Sequence, residues 1–154
     1  MIEIEIHNDQ DAIAFDGDVR RRAVAHVFAD RGIGQGEVSL AVIGDEQMRQ
    51  LNARYLDHDW PTDVLSFVHD AMDDRLDGEV VVSADTALRE SQKFGWRPED
   101  ELLLYIIHGA LHLIGYDDHN EDDLADMREA EARHLANFGL APRYHASHPP
   151  VTET

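Results

Sequence analysis

The stretch "EDELLLYIIHGALHLIG", residues 99–115, most constrains what this chain can fold into. Pro98 suits the first turn of a helix, and Asp100 and Glu101 sit near that helix's positive end. Gly115 ends it. The second half of this predicted helix is apolar on nearly every face. Such a helix cannot lie on a surface and belongs in the middle of a domain. The chain has 154 residues, enough for one core. The apolar run within the helix, Leu102 to Ile107, is far shorter than the roughly 20 residues that span a bilayer.

The remaining pattern supplies what packs around that helix. "IEIEI" alternates strictly and reads as a strand with Ile2, Ile4 and Ile6 inward. Asp16 or Asp18 caps a helix that runs to about Asp30, with Val19, Ala23, Val27 and Phe28 on one face. "EVSLAVIG" alternates as a second strand. A helix through "EQMRQLNARYL" follows, with Met48, Leu51, Ala53 or Arg54 and Tyr55 at helical spacing. "DHDWPT" is a turn, because proline stops a helix. "DVLSFV" and "GEVVVSAD" read as strands, separated by the acidic loop "HDAMDDRLDG". "DTALRESQKFG" is a helix stopped by Gly95. The last helix covers roughly Glu121 to Phe138, with Leu124, Met127, Leu135 and Phe138 on one stripe. The order predicts an α+β fold, a small mixed sheet of about four strands packed with helices. Residues 1–138 form a single domain, and 139–154, proline-rich and patternless, a flexible tail in which His145 and His148 are inert.

The buried helix also carries chemistry. His108 and His112 are four residues apart, so they project to one side, one turn from each other. That spacing presents two nitrogen ligands to one metal ion. The chain turns back after Gly115 with Asp117, Asp118 and His119, any of which supplies a third ligand. Three protein ligands leave a position open, the catalytic rather than the structural arrangement. Gly109 stands where the glutamate of the HExxH peptidase motif would be, which argues against that peptidase class. A glycine there lets another backbone or a substrate approach closely. Without cysteine, thiolate sites and disulfides are excluded, and a reducing cytoplasm is compatible.

These residues resemble a family. "HGALHLIGYDD" looks like the H-G-x-L-H-L-x-G-Y-D-H signature of the YbeY-type endoribonucleases, the rRNA maturation factors. "PTDVLSF", Pro61 to Phe67, resembles that family's other diagnostic block, with "LNARY" before it and "GEVVVS" after it. The resemblance runs from about Glu37 to Phe138. It implies an α+β metalloprotein with one Zn2+ per chain. It also implies cleavage of single-stranded RNA, maturation of the 3′ end of 16S rRNA, and late-stage 70S ribosome quality control. Two positions depart from the family's pattern. Asp118 occupies the place of the third histidine, with His119 one residue later, so the third ligand is Asp118 or His119, and the gapless match favours Asp118. Leu56 stands where the family usually carries an arginine. The candidate site is then His108, His112, Asp118 and His119 around the metal. Asp63, Asp117 or the unused member of the Asp118/His119 pair is the candidate general base, and Thr62, Asp63 and Ser66 line the cleft.

The net charge of −19 repels nucleic acid unless a metal or a basic patch intervenes. Arg20, Arg21 and Arg22 form the only basic cluster, either a solvated helix face or the best candidate for an RNA-facing patch. The expected partners are single-stranded RNA or rRNA and the ribosome or its proteins, with no DNA and no membrane. The N-terminus "MIEIEIHNDQ" has no leader character, so a cytoplasmic location is expected. Two rival readings are a metal hydrolase with a small or peptide substrate, which the acidity favours, and a zinc-stabilised ribosome-assembly module, which Leu56 favours.

Overall fold

The computed structural model describes residues 2–14, 16–55 and 63–142, with Tyr55 described in its backbone only. Four strands form one mixed sheet and five helices surround it, as expected. The strands are β1 (Ile2–Asn8), β2 (Gly36–Ile43), β3 (Val64–Met72) and β4 (Arg75–Ser83). The helices are α1 (Gly17–Ala29), α2 (Asp45–Tyr55), α3 (Ala84–Phe94), α4 (Pro98–Leu113) and α5 (Glu121–Ala136). The sheet order is β1-β2-β4-β3. β1, β2 and β4 run parallel, and β3 pairs antiparallel with β4.

Alternation decides which face of the sheet carries the core. Val38, Leu40 and Val42 of β2 and Val80 and Val82 of β4 join the main cluster with α1, α4 and α5. Ile2, Ile4 and Ile6 pack against it from the edge strand. On the opposite face a smaller cluster of Ile43, Leu65 and Val81 is closed by Met48 and Leu51 of α2. Buried residues of α4 include Leu102 to Ala110 without a break, so the helix is enclosed on every side, as its composition demands.

The caps follow the sequence. Asp16 accepts from the Asp18 amide to start α1, and Ser83 accepts from Thr86 to start α3. Gly95 ends α3 in the left-handed region, at φ 74°. The expected acidic loop between β3 and β4 is instead a hairpin. Both strands continue to a tight turn at Asp73 and Asp74, where Asp73 takes φ 54°. An aspartate tolerates that conformation better than most side chains; the extension of β3 beyond Phe67 is exposed throughout, while Leu76 of β4 turns into the core.

Gly109 is also placed differently from the expectation. A Cβ there would lie 2.6 Å from Val80 Cγ1 and 2.9 Å from Val64 Cγ2. The missing side chain lets α4 settle on the valines of the sheet, so neither a backbone nor a substrate occupies that space. Ser66 fastens the same point, its Oγ donating to the Gly109 carbonyl at 2.9 Å. Among the described residues no helix is long and apolar enough to cross a membrane. His145 and His148 lie outside the described residues.

Candidate metal centre

The end of α4 is built as a device for turning the chain. The Gly115 amide donates to the His112 carbonyl at 3.1 Å, and the Tyr116 amide to the Leu111 carbonyl at 3.0 Å. This paired closure needs a left-handed residue, and Gly115 supplies φ 107°. Arg31, just after α1, secures the turn, with its guanidinium 4.9 Å from the Tyr116 ring centre. The chain then passes back over the last turn of α4 before Asn120 caps α5 by accepting from the Asp123 amide.

That reversal brings Asp118 to the two imidazoles. His108 Nε2 and His112 Nε2 are 3.0 Å apart. Asp118 Oδ2 lies 3.5 Å from the first and 3.8 Å from the second. Atoms bound tetrahedrally to one ion at about 2.0–2.2 Å are separated by roughly 3.3–3.6 Å, so this triangle is close to the dimensions of a shared cation site. The donor set, two imidazoles and a carboxylate, suits Zn2+ among other divalent metals. His119 takes another direction: its side chain is 70% exposed and its Nε2 pairs with Asp117 Oδ1 at 2.9 Å.

The surroundings of His108 favour positive charge. Burial alone would lower its pKa, but the carboxylates of Asp118, Glu131 and Asp63 outweigh burial and raise it to about 9. The same carboxylates that raise it would stabilise a cation bound beside the ring. Asp63, at the foot of β3, is buried and coupled to His108 through charge. Burial pushes its pKa up to about 7, against the opposing pull of His108 and of the Val64 amide. The Val64 amide donates to Asp63 Oδ1 at 2.8 Å, so Asp63 also shapes the strand start.

A comparison with protein families decides the lineage. The family model described as Endoribonuclease YbeY matches residues 5–139, a span that contains every described residue of this site. The chain belongs to the Endoribonuclease YbeY family. It is 39% identical to the protein of that name from Heliobacterium modesticaldum over 68% of this chain and 70% of that protein. The Salinibacter ruber protein of the same name is 35% identical over 90% of this chain and 94% of its own length. The solution structure of TM1509 from Thermotoga maritima shares the fold, with a TM-score of 0.57, 23% identity, and coverage of 90% of this chain and 92% of that one.

Not every predicted residue gathers at the metal centre. Ser66 holds α4 to β3 through the Gly109 carbonyl. Thr62 and Leu56 lie outside the described residues. Arg20, Arg21 and Arg22 do not form one basic face. Arg20 is buried, reaching the carbonyls of Asp16 and Glu99. Arg21 turns to the Ile4 carbonyl and Asp18, and Arg22 lies 5.8 Å from the Phe138 ring centre. Consecutive helix positions diverge by about 100°, so three in a row cannot share a direction.

Glu131 is the site residue that sequence reasoning missed. Its Oε2 lies 2.5 Å from His108 Nδ1, and its residue exposure is 0%. A signal was present. Glu131 fills the vacant step between Met127 and Leu135 in the apolar stripe of α5. A lone acid on a buried stripe requires a buried partner.

Proposed function

We propose that this YbeY-family chain is a zinc-dependent, single-strand-specific endoribonuclease that matures the 3′ end of 16S rRNA and acts in late-stage 70S ribosome quality control. The observation that carries the metal-dependent reading is the convergence of His108, His112 and Asp118 on one point. Family membership supports RNA as the substrate. His108, His112 and Asp118 would hold one Zn2+ per chain, with His119 adjacent on the loop. When bound, the ion supplies Lewis acidity toward a phosphoryl oxygen and makes a water more acidic.

The chain's own groups do the rest. α4, pinned to the sheet at Gly109, gives both imidazoles a rigid base. The Gly115 turn delivers the third carboxylate and leaves His119 exposed toward solvent and substrate. Asp63, buried and within the electrostatic influence of His108, would serve as the proton acceptor for the attacking water. Positive charge at the centre offsets the acidic surface where the scissile phosphate must sit.

Labelled single-stranded RNA incubated with metal-loaded protein, with and without chelator, tests this reading. Chelator-sensitive cleavage is expected. Zinc-dependent folding without cleavage would instead make the chain an assembly module with a structural ion. Cleavage of a non-nucleic-acid ester alone would make it a different metal hydrolase.

A further inference from the structure

We propose that Glu131 is a positioning residue for the metal centre, fixing the tautomer and the orientation of His108. The inference rests on the zinc reading above. It starts from a cost. Glu131 is at 0% exposure and His108 at 2%, both in the core between α5 and α4. Burying a carboxylate there is unfavourable unless it holds a partner that needs it.

The geometry identifies that partner and what is done to it. Glu131 Oε2 sits 2.5 Å from Nδ1 of His108, while Nε2 of the same ring faces His112 Nε2 at 3.0 Å and Asp118 Oδ2 at 3.5 Å. A carboxylate only accepts hydrogen bonds, so Nδ1 carries the proton and donates it. In the neutral ring, Nε2 is then left with its lone pair directed at the ligand triangle. The opposite tautomer would place a hydrogen where the cation must bind. The same bond fixes rotation about the side chain, which the helix backbone alone leaves free. The negative charge behind the ring also makes Nε2 a better donor to metal.

α5 thereby acquires a role at a site to which it contributes no ligand. Its apolar stripe holds it against α4 through Met127, Ala130 and Leu135, and the one acid on that stripe meets the first histidine of the signature. Among the described residues, no carboxylate bonds the outer nitrogen of His112. The two ligands therefore differ, and His108 is the one whose lone pair is set in advance.

The test uses the full chain with Glu131→Gln and Glu131→Ala. The first readout is the protonated nitrogen of His108 in metal-free protein at a pH where the ring is neutral, seen in long-range 1H–15N correlation spectra. Wild type is expected to show the Nδ1–H form, Glu131→Gln to keep it through the amide oxygen, and Glu131→Ala to shift toward the mixture of a free imidazole. The second readout is Zn2+ affinity by competition with a chromophoric chelator. Glu131→Ala should lose roughly 10–100-fold, and Glu131→Gln less, because it restores the bond without the charge. If Glu131→Ala does not fold, Glu131→Gln against wild type decides, with a several-fold weaker affinity expected. Wild-type affinity in the folded variant, or an unchanged tautomer in Glu131→Ala, overturns the assignment. Loss confined to Glu131→Ala, with Glu131→Gln at wild-type affinity, reduces Glu131 to a packing residue and also overturns it. Failure of the zinc reading looks different, since wild type itself would then bind no Zn2+.

Discussion

Asp118 Oδ2 lies 3.5 Å from His108 Nε2, whereas the neighbouring His119 turns outward to Asp117. One residue of register separates a half-buried carboxylate facing two imidazoles from an exposed imidazole facing an acid. A carboxylate in this position makes the centre less positive than three imidazoles would. Asp118→Ala is therefore expected to weaken Zn2+ binding by orders of magnitude, and His119→Ala by a few-fold at most. Parallel chelator-competition titrations check this, and the reverse ranking would move the ligand role to His119.

Each imidazole is one of three ligand groups, so neither is dispensable. His108→Ala and His112→Ala should each abolish stoichiometric Zn2+ binding. Elemental analysis of purified protein reads this directly. A full complement of zinc in either variant would remove the site.

Gly109→Ala should destabilise the fold by about 1–3 kcal/mol, the usual cost of overpacking a tight core. The new methyl would meet Val80 and Val64, and α4 would have to lift from the sheet. Urea denaturation midpoints measure the loss. Combining it with Val80→Ala, which removes the nearest methyl, should cost less than the sum of the two changes. A strictly additive double variant would show that the two positions do not press on each other.

The histidine spacing and the central helix were legible because both are local. Periodicity fixes His108 and His112 on one side of α4 without knowledge of the rest of the chain. Which of Asp118 and His119 faces the two imidazoles was not, because it depends on the path that the Gly115 turn sets in three dimensions. Glu131 escaped because an acid on a charged helix reads as solvated until the neighbouring helix is in place. The β3–β4 hairpin escaped for a related reason: beyond Phe67 every residue of β3 is exposed, and on the outer part of β4 Leu76 alone is a large apolar residue turned to the core. Arg20 shows the converse error, an arginine read as surface whose guanidinium spans α1 and α4 through backbone carbonyls.

The three arginines should separate by experiment. Arg20→Ser is expected to cost about 1–3 kcal/mol, since it removes a buried side chain that bonds two backbone carbonyls across α1 and α4. Arg21→Ser and Arg22→Ser should each stay within about 0.5 kcal/mol. Replacing all three should flatten the salt dependence of RNA binding by no more than about 0.7 in slope, the value of one single-strand phosphate contact. A drop near three times that value would restore a shared RNA-facing patch.

Acid sensitivity should be traceable to Asp45 at the start of α2. Burial there works against its charge. The Arg89 guanidinium and the hydroxyls of Ser83 and Thr86 outweigh burial and hold its pKa below the ordinary 3.8. A carboxylate with a depressed pKa in the folded state binds protons less readily there than in the unfolded chain. Its contribution is therefore complete above pH 3.8 and is lost as pH falls through the lower folded value. Asp45→Asn keeps the shape and removes the charge. It should melt below wild type near neutral pH, and the gap in Tm should close as the buffer is taken below pH 3.8. A gap that stays constant over that range would mean that the ion pair with Arg89, half exposed as it is, contributes nothing, and that the bonds to Ser83, Thr86 and Asp85 hold α2 to α3 without it.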